Sequence, residues 1–341
     1  MPAAISSLTG EGEHVGTFPT ADNVIVLLID GMGSKNLEFF GNQHHMIERL
    51  ISHVGQTTLP STTPVALASL GTSMTPDHHG FLGATFLVDG QVLQPLKWTN
   101  EPHPLSLGPE PTVFETSIRQ GIQVRRVGPD AYKNSGLTNA ILRGGEHVSA
   151  ESLEDLMEIL PRTQGPSLTY GYYPKLDRVG HVFGCQSEEY LSELQQVLQA
   201  IEVIESRLPH KTTLIVTADH GMVDLKHRVW IEDDLDLSRD IDFIAGEPRF
   251  RHIYSAHPRS VLQRYEKVSE DFLVLSKEEF LAYAQFSPDF AERVGDIVVI
   301  AQSSEAGLCS REVDLRVSSL LGQHGGATEA ERSIPIAVMA G

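Results

Sequence analysis

Five short segments carry side chains able to do chemistry together. Asp30 follows the apolar run Val24–Ile29, and Asp219-His220 follows Leu214–Thr217. Asp177 and His181 are four residues apart, and His324 lies between Gly322 and Gly325. These six residues offer oxygen and nitrogen donors of the kind that divalent metals take. The fifth segment, Ser61-Thr62-Thr63, supplies hydroxyls that a bound dication would activate as nucleophiles.

Each segment alone has a plainer explanation. Asp30-Gly31 could be a turn, Asp219 a helix cap, Asp177 to His181 a surface ion pair, and the segment around His324 a Gly-rich turn. Thr62 or Thr63 could simply cap the helix that Pro64 introduces. Their joint placement is more telling. In open α/β sheets ligands collect at the carboxyl ends of strands, where Asp30 and Asp219 fall. A phosphate near Thr63 would also meet the free N–H groups and positive end of that helix.

Strands are expected at Val24–Ile29, Gln123–Val127, Ser167–Tyr172 and Thr212–Thr217, with later ones at Val298–Ala301 and Ile334–Met339. Helices are expected from Ser34, over His45–Val54, over Val65–Leu70 and over Glu188–Leu208. The last carries the stripe Leu191, Leu194, Val197, Leu198, Ile201, Ile204 and Leu208 behind Ser187. This alternation predicts an α/β fold with a mostly parallel central sheet and helices on both faces. Gly80–Leu107 reads as irregular or hairpin-like, with Asp89-Gly90 as a turn. Arg228–Phe280 is rich in charge and aromatics, with weak periodicity.

The 341 residues are 40% hydrophobic and 21% charged, enough for a substantial core. A formal charge of −19 argues against binding nucleic acid polymers or an anionic membrane surface. It leaves a small anionic substrate open, because two dications would set the local sign. Cys185 and Cys309 do not make a disulfide framework. No signal-like segment is evident in Met1–Gly12, nor any apolar run near the ~20 residues of a membrane span. A cytoplasmic protein is expected; oligomeric state is open.

Taken in order, Val26-Leu27-Leu28-Ile29-Asp30-Gly31, Leu59–Pro64, Pro76-Asp77-His78-His79-Gly80, Asp177 to His181, Thr217–Gly221 and His324-Gly325-Gly326 resemble one family. It is the alkaline phosphatase superfamily, in its nucleotide pyrophosphatase/phosphodiesterase (type I phosphodiesterase) branch. The resemblance spans nearly the whole chain. It implies a three-layer α/β/α sandwich forming one catalytic domain over residues 1–341, with small cap insertions at about 81–107 and 228–280. It implies two divalent metal sites: Asp177, His181 and His324 in one, Asp30, Asp219 and His220 in the other, with Thr63 as nucleophile contacting the second metal. Zn suits such ligands, with Mn or Fe as alternatives. The implied activity is hydrolysis of a small phosphate-containing substrate, possibly a nucleotide, through a phospho-threonine.

The chain departs from the pattern at Ala84, where diesterases of this branch commonly carry an Asn that supports a phosphate oxygen. That opens the alternatives of a phosphomonoesterase, phosphonate hydrolase or phosphomutase, or a catalytically silent binding protein. Arg249 or Arg251 could supply the missing charge, or be solvated surface arginines. Asp77-His78-His79 is expected to be structural.

Overall fold

The computed structural model describes residues 1–11, 18–99, 102–108, 110–285 and 288–341. Residues 100–101, within the expected 81–107 insertion, lie outside them. The strands that matter here are β1 (Asn23–Ile29), β2 (Val54–Gln56), β3 (Gln123–Gly128), β4 (Glu146–Ser149), β5 (Ser167–Tyr173) and β6 (Thr212–Thr217). They continue with β7 (Phe243–Glu247), β8 (Phe250–Tyr254), β9 (Phe272–Ser276), β10 (Ile297–Ala301) and β11 (Ser333–Ala340).

The central sheet has the order β2-β11-β6-β1-β5-β3-β4. Strands β6, β1, β5, β3 and β4 run parallel; at one edge β11 pairs antiparallel with β6, and β2 antiparallel with β11. β1 lies in the middle, buried along its whole length, which is why its sequence is continuously apolar. Apolar cores cover both faces of the sheet. On one, helix α3 (Glu188–Ser206) buries Leu194, Val197, Leu198, Ile201 and Ile204, and Ser187 Oγ accepts from the Tyr190 N–H at 3.1 Å to cap it. On the other lies helix α1 (Thr63–Thr72).

A second sheet, fully antiparallel, has the order β7-β8-β10-β9. Its β10 contains the expected strand Val298–Ala301, while Ile334–Met339 falls within β11 of the central sheet. The hairpin Phe86–Val88/Gln91–Leu93 turns at Asp89-Gly90, both at positive φ (49° and 76°). It docks on the second sheet through the Leu87 N–H, which donates to Tyr254 Oη at 3.1 Å, and in the segment before it Leu82 O meets His252 Nε2 at 3.0 Å.

One expected helix is shorter than its sequence suggested. His45–Val54 is helical only over Met46–Leu50, because Val54–Gln56 pairs with Ser333–Pro335 of β11 as an edge strand. A pairing partner nearly 280 residues away overrides the local preference.

Candidate active site: a cluster of carboxylates and imidazoles beside a threonine

The register sets two of the acids. Leu28 of β1 pairs with Thr217 of β6, so two residues further on Asp30 and Asp219 leave the sheet at the same level. Asp177 and His181 share a face of helix α2 (Lys175–Phe183), which follows β5. A Cβ on Gly31 would come within 3.0 Å of Asp177, so that glycine permits the close approach of α2 to β1. His324 is brought in by a loop zipped to the one before α1. The Gly325 N–H donates to Ser61 Oγ at 3.2 Å, and Ser61 Oγ donates to Gly326 O at 2.8 Å.

All seven singled-out residues meet. His220 Nε2 is 3.1 Å from Thr63 Oγ1 and 3.5 Å from both Asp30 Oδ1 and Asp219 Oδ2. His181 Nε2 is 3.3 Å from Asp177 Oδ2, and His324 Nε2 is 3.9 Å from Asp177 Oδ1. The His220 and His324 rings stack at 3.8 Å. At this site donor atoms within 4.8 Å of one another form two groups, Asp30, Asp219 and His220, and Asp177, His220 and His324; a third, His44, His45 and Glu202, lies elsewhere. His220 thus belongs to both, while His181 flanks the second through Asp177.

The hydrogen bonds around the imidazoles point one way. His181 Nδ1 is 2.8 Å from Gly322 O, His220 Nδ1 3.1 Å from Gly221 O, and His324 Nδ1 3.2 Å from Ser61 O. Each carbonyl takes an N–H from Nδ1, which leaves the Nε2 lone pair facing the cluster. The acids are unfinished in the same direction. Asp30 Oδ1, Asp177 Oδ1 and Asp219 Oδ2 are buried and have no hydrogen-bond partner among the described residues. Their opposite oxygens are held: Asp30 Oδ2 accepts from the Tyr172 hydroxyl, and Asp219 Oδ1 from the N–H groups of Gly31 (3.2 Å) and His220 (3.1 Å).

Burial, and then the charges of Asp219 and Asp177, push the Asp30 carboxyl well above its usual range. Burial, reinforced by His220 and His181, holds His324 well below the usual imidazole range. Three orphaned carboxylate oxygens facing the Nε2 atoms of three imidazoles form a donor set that fits divalent cations.

Thr62 occupies the N-cap of α1 and Thr63 its first turn, with Pro64 behind; neither hydroxyl makes a capping bond. Capping therefore does not explain them, and the Thr63 hydroxyl faces His220 instead. A cleft of about 370 Å³ opens beside it, lined among others by Ala84, Arg126, His147, Tyr170 and Tyr172. Ala84 does border the cleft beside Thr63.

Arg249 and Arg251 do not. Both are fully buried, so they are neither phosphate partners in the cleft nor solvated surface groups. Arg249 forks onto Glu331 at 2.9 and 2.6 Å, and Arg251 onto Asp314 at 2.7 and 3.0 Å. Glu331 also accepts from the Gly326 N–H at 2.8 Å, so this pair anchors the loop that carries His324. The Asp77-His78-His79 segment stays outside the cluster; His79 Nε2 meets Ser69 Oγ of α1 at 2.9 Å.

The model of the type I phosphodiesterase/nucleotide pyrophosphatase family matches residues 24–325. The chain belongs to that family. Its place in the alkaline phosphatase superfamily follows from the same match and from its structural neighbours. An uncharacterized pyrophosphatase/phosphodiesterase of Schizosaccharomyces pombe is 25% identical over 260 residues, 69% of this chain and 52% of that protein. The chain therefore spans about half the length of that relative. Murine ectonucleotide pyrophosphatase/phosphodiesterase 5 superposes with a TM-score of 0.74 at 18% identity, over 93% of this chain and 88% of the murine one. Phosphonoacetate hydrolase from Sinorhizobium meliloti, in complex with phosphonoformate, superposes with a TM-score of 0.68 at 18% identity, over 94% and 91%. These likenesses carry the fold: an α/β protein around a large, mostly parallel sheet.

Several residues at the site were not legible beforehand. Tyr172 holds Asp30, and Glu247 is buried with Oε2 3.7 Å from His324 Nδ1, its carboxyl pushed up to about 8 by burial. Tyr172 ends an expected strand, a position that could have flagged it. Glu247 lies in a stretch of weak periodicity and gave no signal. Among the described residues no helix is long and apolar enough to cross a membrane.

Proposed function

We propose that this chain is a two-metal phosphoric ester hydrolase, a phosphodiesterase or nucleotide pyrophosphatase with Thr63 as nucleophile. The observation that carries this reading is the Thr63 hydroxyl 3.1 Å from His220 Nε2, beside the orphaned oxygens of Asp30 and Asp219. Asp30, Asp219 and His220 would hold one divalent ion, Zn or alternatively Mn or Fe, with Thr63 as a further ligand. Asp177, His181 and His324 would hold the other. When bound, the ions supply charge for the attacking and leaving oxygens and lower the pKa of groups they touch.

The residues of the chain do the rest. The start of α1 fixes the Thr63 hydroxyl and offers free backbone N–H groups to phosphate oxygens. Thr63 Oγ1 attacks phosphorus in line, the P–O bond opposite breaks, the hydroxyl proton passes to the departing alcohol or phosphate, and a phospho-threonine forms. Water then attacks that phosphorus and restores the hydroxyl. Tyr172 holds Asp30, and the backbone carbonyls hold the three imidazoles, so the donor set is oriented before substrate arrives.

The family supports the reaction class. The neighbouring murine phosphodiesterase 5 is described as inactive when a threonine is replaced by alanine, and as binding AMP. The second reading, a phosphonate hydrolase, is favoured by Ala84 in place of an amide side chain. We retain a reducing, cytoplasmic setting, which the two buried free cysteines support. The domain reading also stands as a proposal: one catalytic domain, with the segments 81–107 and 228–280 packed as caps beside the cleft.

A panel of 4-nitrophenyl mono- and diesters, a dinucleotide and phosphonoacetate, assayed with Zn and Mn, tests the reading. Turnover of diesters or the dinucleotide is expected. Turnover of phosphonoacetate alone selects the second reading, and two bound metals without turnover of any compound makes the chain a silent binder.

A further inference from the structure

Behind Thr63 the cleft runs down the face of the sheet to a row of polar side chains that the hydrolytic chemistry does not use. Register places them side by side: Arg126 of β3 pairs with His147 of β4 on one side and with Tyr170 of β5 on the other. Partners in a parallel sheet share a face and stand about 4.8 Å apart. All three line the cleft that contains Asp30 and Thr63. The position above Arg126 on that face is Gly128, also in the cleft wall, which adds no side chain of its own over the guanidinium.

None of the three is finished within the chain. Tyr170 is 4% exposed and its hydroxyl has no hydrogen-bond partner among the described residues. His147 Nε2 is buried and meets Asp130 Oδ1 at 3.4 Å, a contact to a side chain 65% exposed that a better acceptor can replace. Arg126 donates through Nε to Gly144 O at 2.8 Å, and no carboxylate forms an ion pair with it among the described residues. Burial holds its pKa below the usual guanidinium range, so it is a partly desolvated cation without a carboxylate partner. The two fully buried guanidinium groups have acids of their own, Glu331 for Arg249 and Asp314 for Arg251, whereas half-buried Arg126, like Arg228 and Arg293, bonds backbone carbonyl oxygen.

We propose that Arg126, His147 and Tyr170 form a second anion subsite, which selects substrates whose organic group carries a further phosphate or carboxylate beyond the scissile phosphorus. The chemistry that completes this row is an acceptor with several oxygens. With Nε held by Gly144 O, the guanidinium still offers its Nη N–H groups to phosphate or carboxylate, and the phenol and imidazole N–H add donors on either side. A neutral organic group in the same place would leave the cation unpaired. The aromatic and apolar wall of Tyr132, Tyr172, Leu137 and Leu96 would cover the intervening part of the substrate.

The inference rests on the phosphoesterase reading and deepens it. Its test compares pairs that differ only in the distal charge. One pair is 4-nitrophenyl thymidine 5′-phosphate with and without a 3′-phosphate. The other is an alkyl 4-nitrophenyl phosphate ending in a carboxylate or in its methyl ester. The charged member should be preferred at least about tenfold in kcat/KM, mostly through KM, and the better pair tells phosphate from carboxylate. Arg126→Gln should bring that ratio close to one, and Arg126→Lys should restore part of it.

Equal use of both members by the unmodified protein, or a preference untouched in Arg126→Gln, overturns the subsite. Calorimetry separates the two readings. Thr63→Ala protein should bind thymidine 3′,5′-bisphosphate at least about tenfold more tightly than thymidine 5′-phosphate, and the double variant with Arg126→Gln should not. Discrimination in binding without turnover of any ester would sink the hydrolase and leave the subsite. Turnover without discrimination would do the reverse.

Discussion

Arg249 and Glu331 are as deeply buried as Asp30 and Asp219, yet the two groups are completed in opposite ways. In the first, the guanidinium meets both oxygens of the acid, with two backbone carbonyls and the Gly326 N–H taking up the remaining capacity. In the second, acids lie beside acids, oxygens lack donors and the imidazoles aim lone pairs at them. Burying a charge without a partner is costly, so the unfinished group fits a site that a bound cation completes. Burial alone therefore does not separate framework from function; the count of satisfied atoms does.

The sharpest way to test the contrast is to remove Thr63. Thr63→Ala should lower turnover by at least about 10⁴-fold while metal content stays the same. Retained activity would transfer the attack to Thr62 or to water.

Next come the acids themselves. Glu331→Ala strands a buried guanidinium and should cost about 3–5 kcal/mol in denaturant unfolding. In metal-free protein Asp30→Asn should instead be neutral or stabilising, since it removes a charge repelled by Asp219 and Asp177. With metal present the same variant should lose about one ion per chain. If both substitutions destabilise the metal-free protein equally, the contrast fails.

A third test uses pH. His252, buried against Leu82 O and the Gly295 N–H, has its pKa lowered from 6.5 to about 4 by burial. Its folded form takes a proton less readily than its unfolded form. Its contribution is complete above pH 6.5 and is lost as pH falls toward 4, by about 3 kcal/mol at most. His252→Asn should flatten the unfolding free energy over that window, and an unchanged slope would refute the assignment.

The smallest effect concerns specificity. Ala84→Asn should raise kcat/KM on diesters by about tenfold, the worth of one hydrogen bond to a charged oxygen. No gain would mean that the amide cannot reach the phosphate from this backbone.

Much of this was legible in the sequence. Apolar runs ending in Asp30 and Asp219 located both the central strands and the acids, because a strand covered on both faces must be apolar up to its polar end. The four-residue spacing of Asp177 and His181 became one face of a helix. Less readable were features that depend on distant pairing. Val54–Gln56 is a strand only because β11 lies beside it. Arg249 and Arg251 looked like surface groups because their acids, Glu331 and Asp314, are 82 and 63 residues away. The row His147, Arg126 and Tyr170 exists only through register, which no local pattern encodes.

The parallel pairing of β1 and β6 also limits how this centre can change. Because Leu28 faces Thr217 across a ladder of backbone hydrogen bonds, the roots of Asp30 and Asp219 are held apart by the main chain and not by side-chain packing. Substitutions elsewhere cannot widen or narrow that gap without breaking the middle of the sheet. Descendants of this protein could then acquire a taste for a different cation by exchanging an oxygen donor for a nitrogen one, while the gauge of the cradle stays inherited.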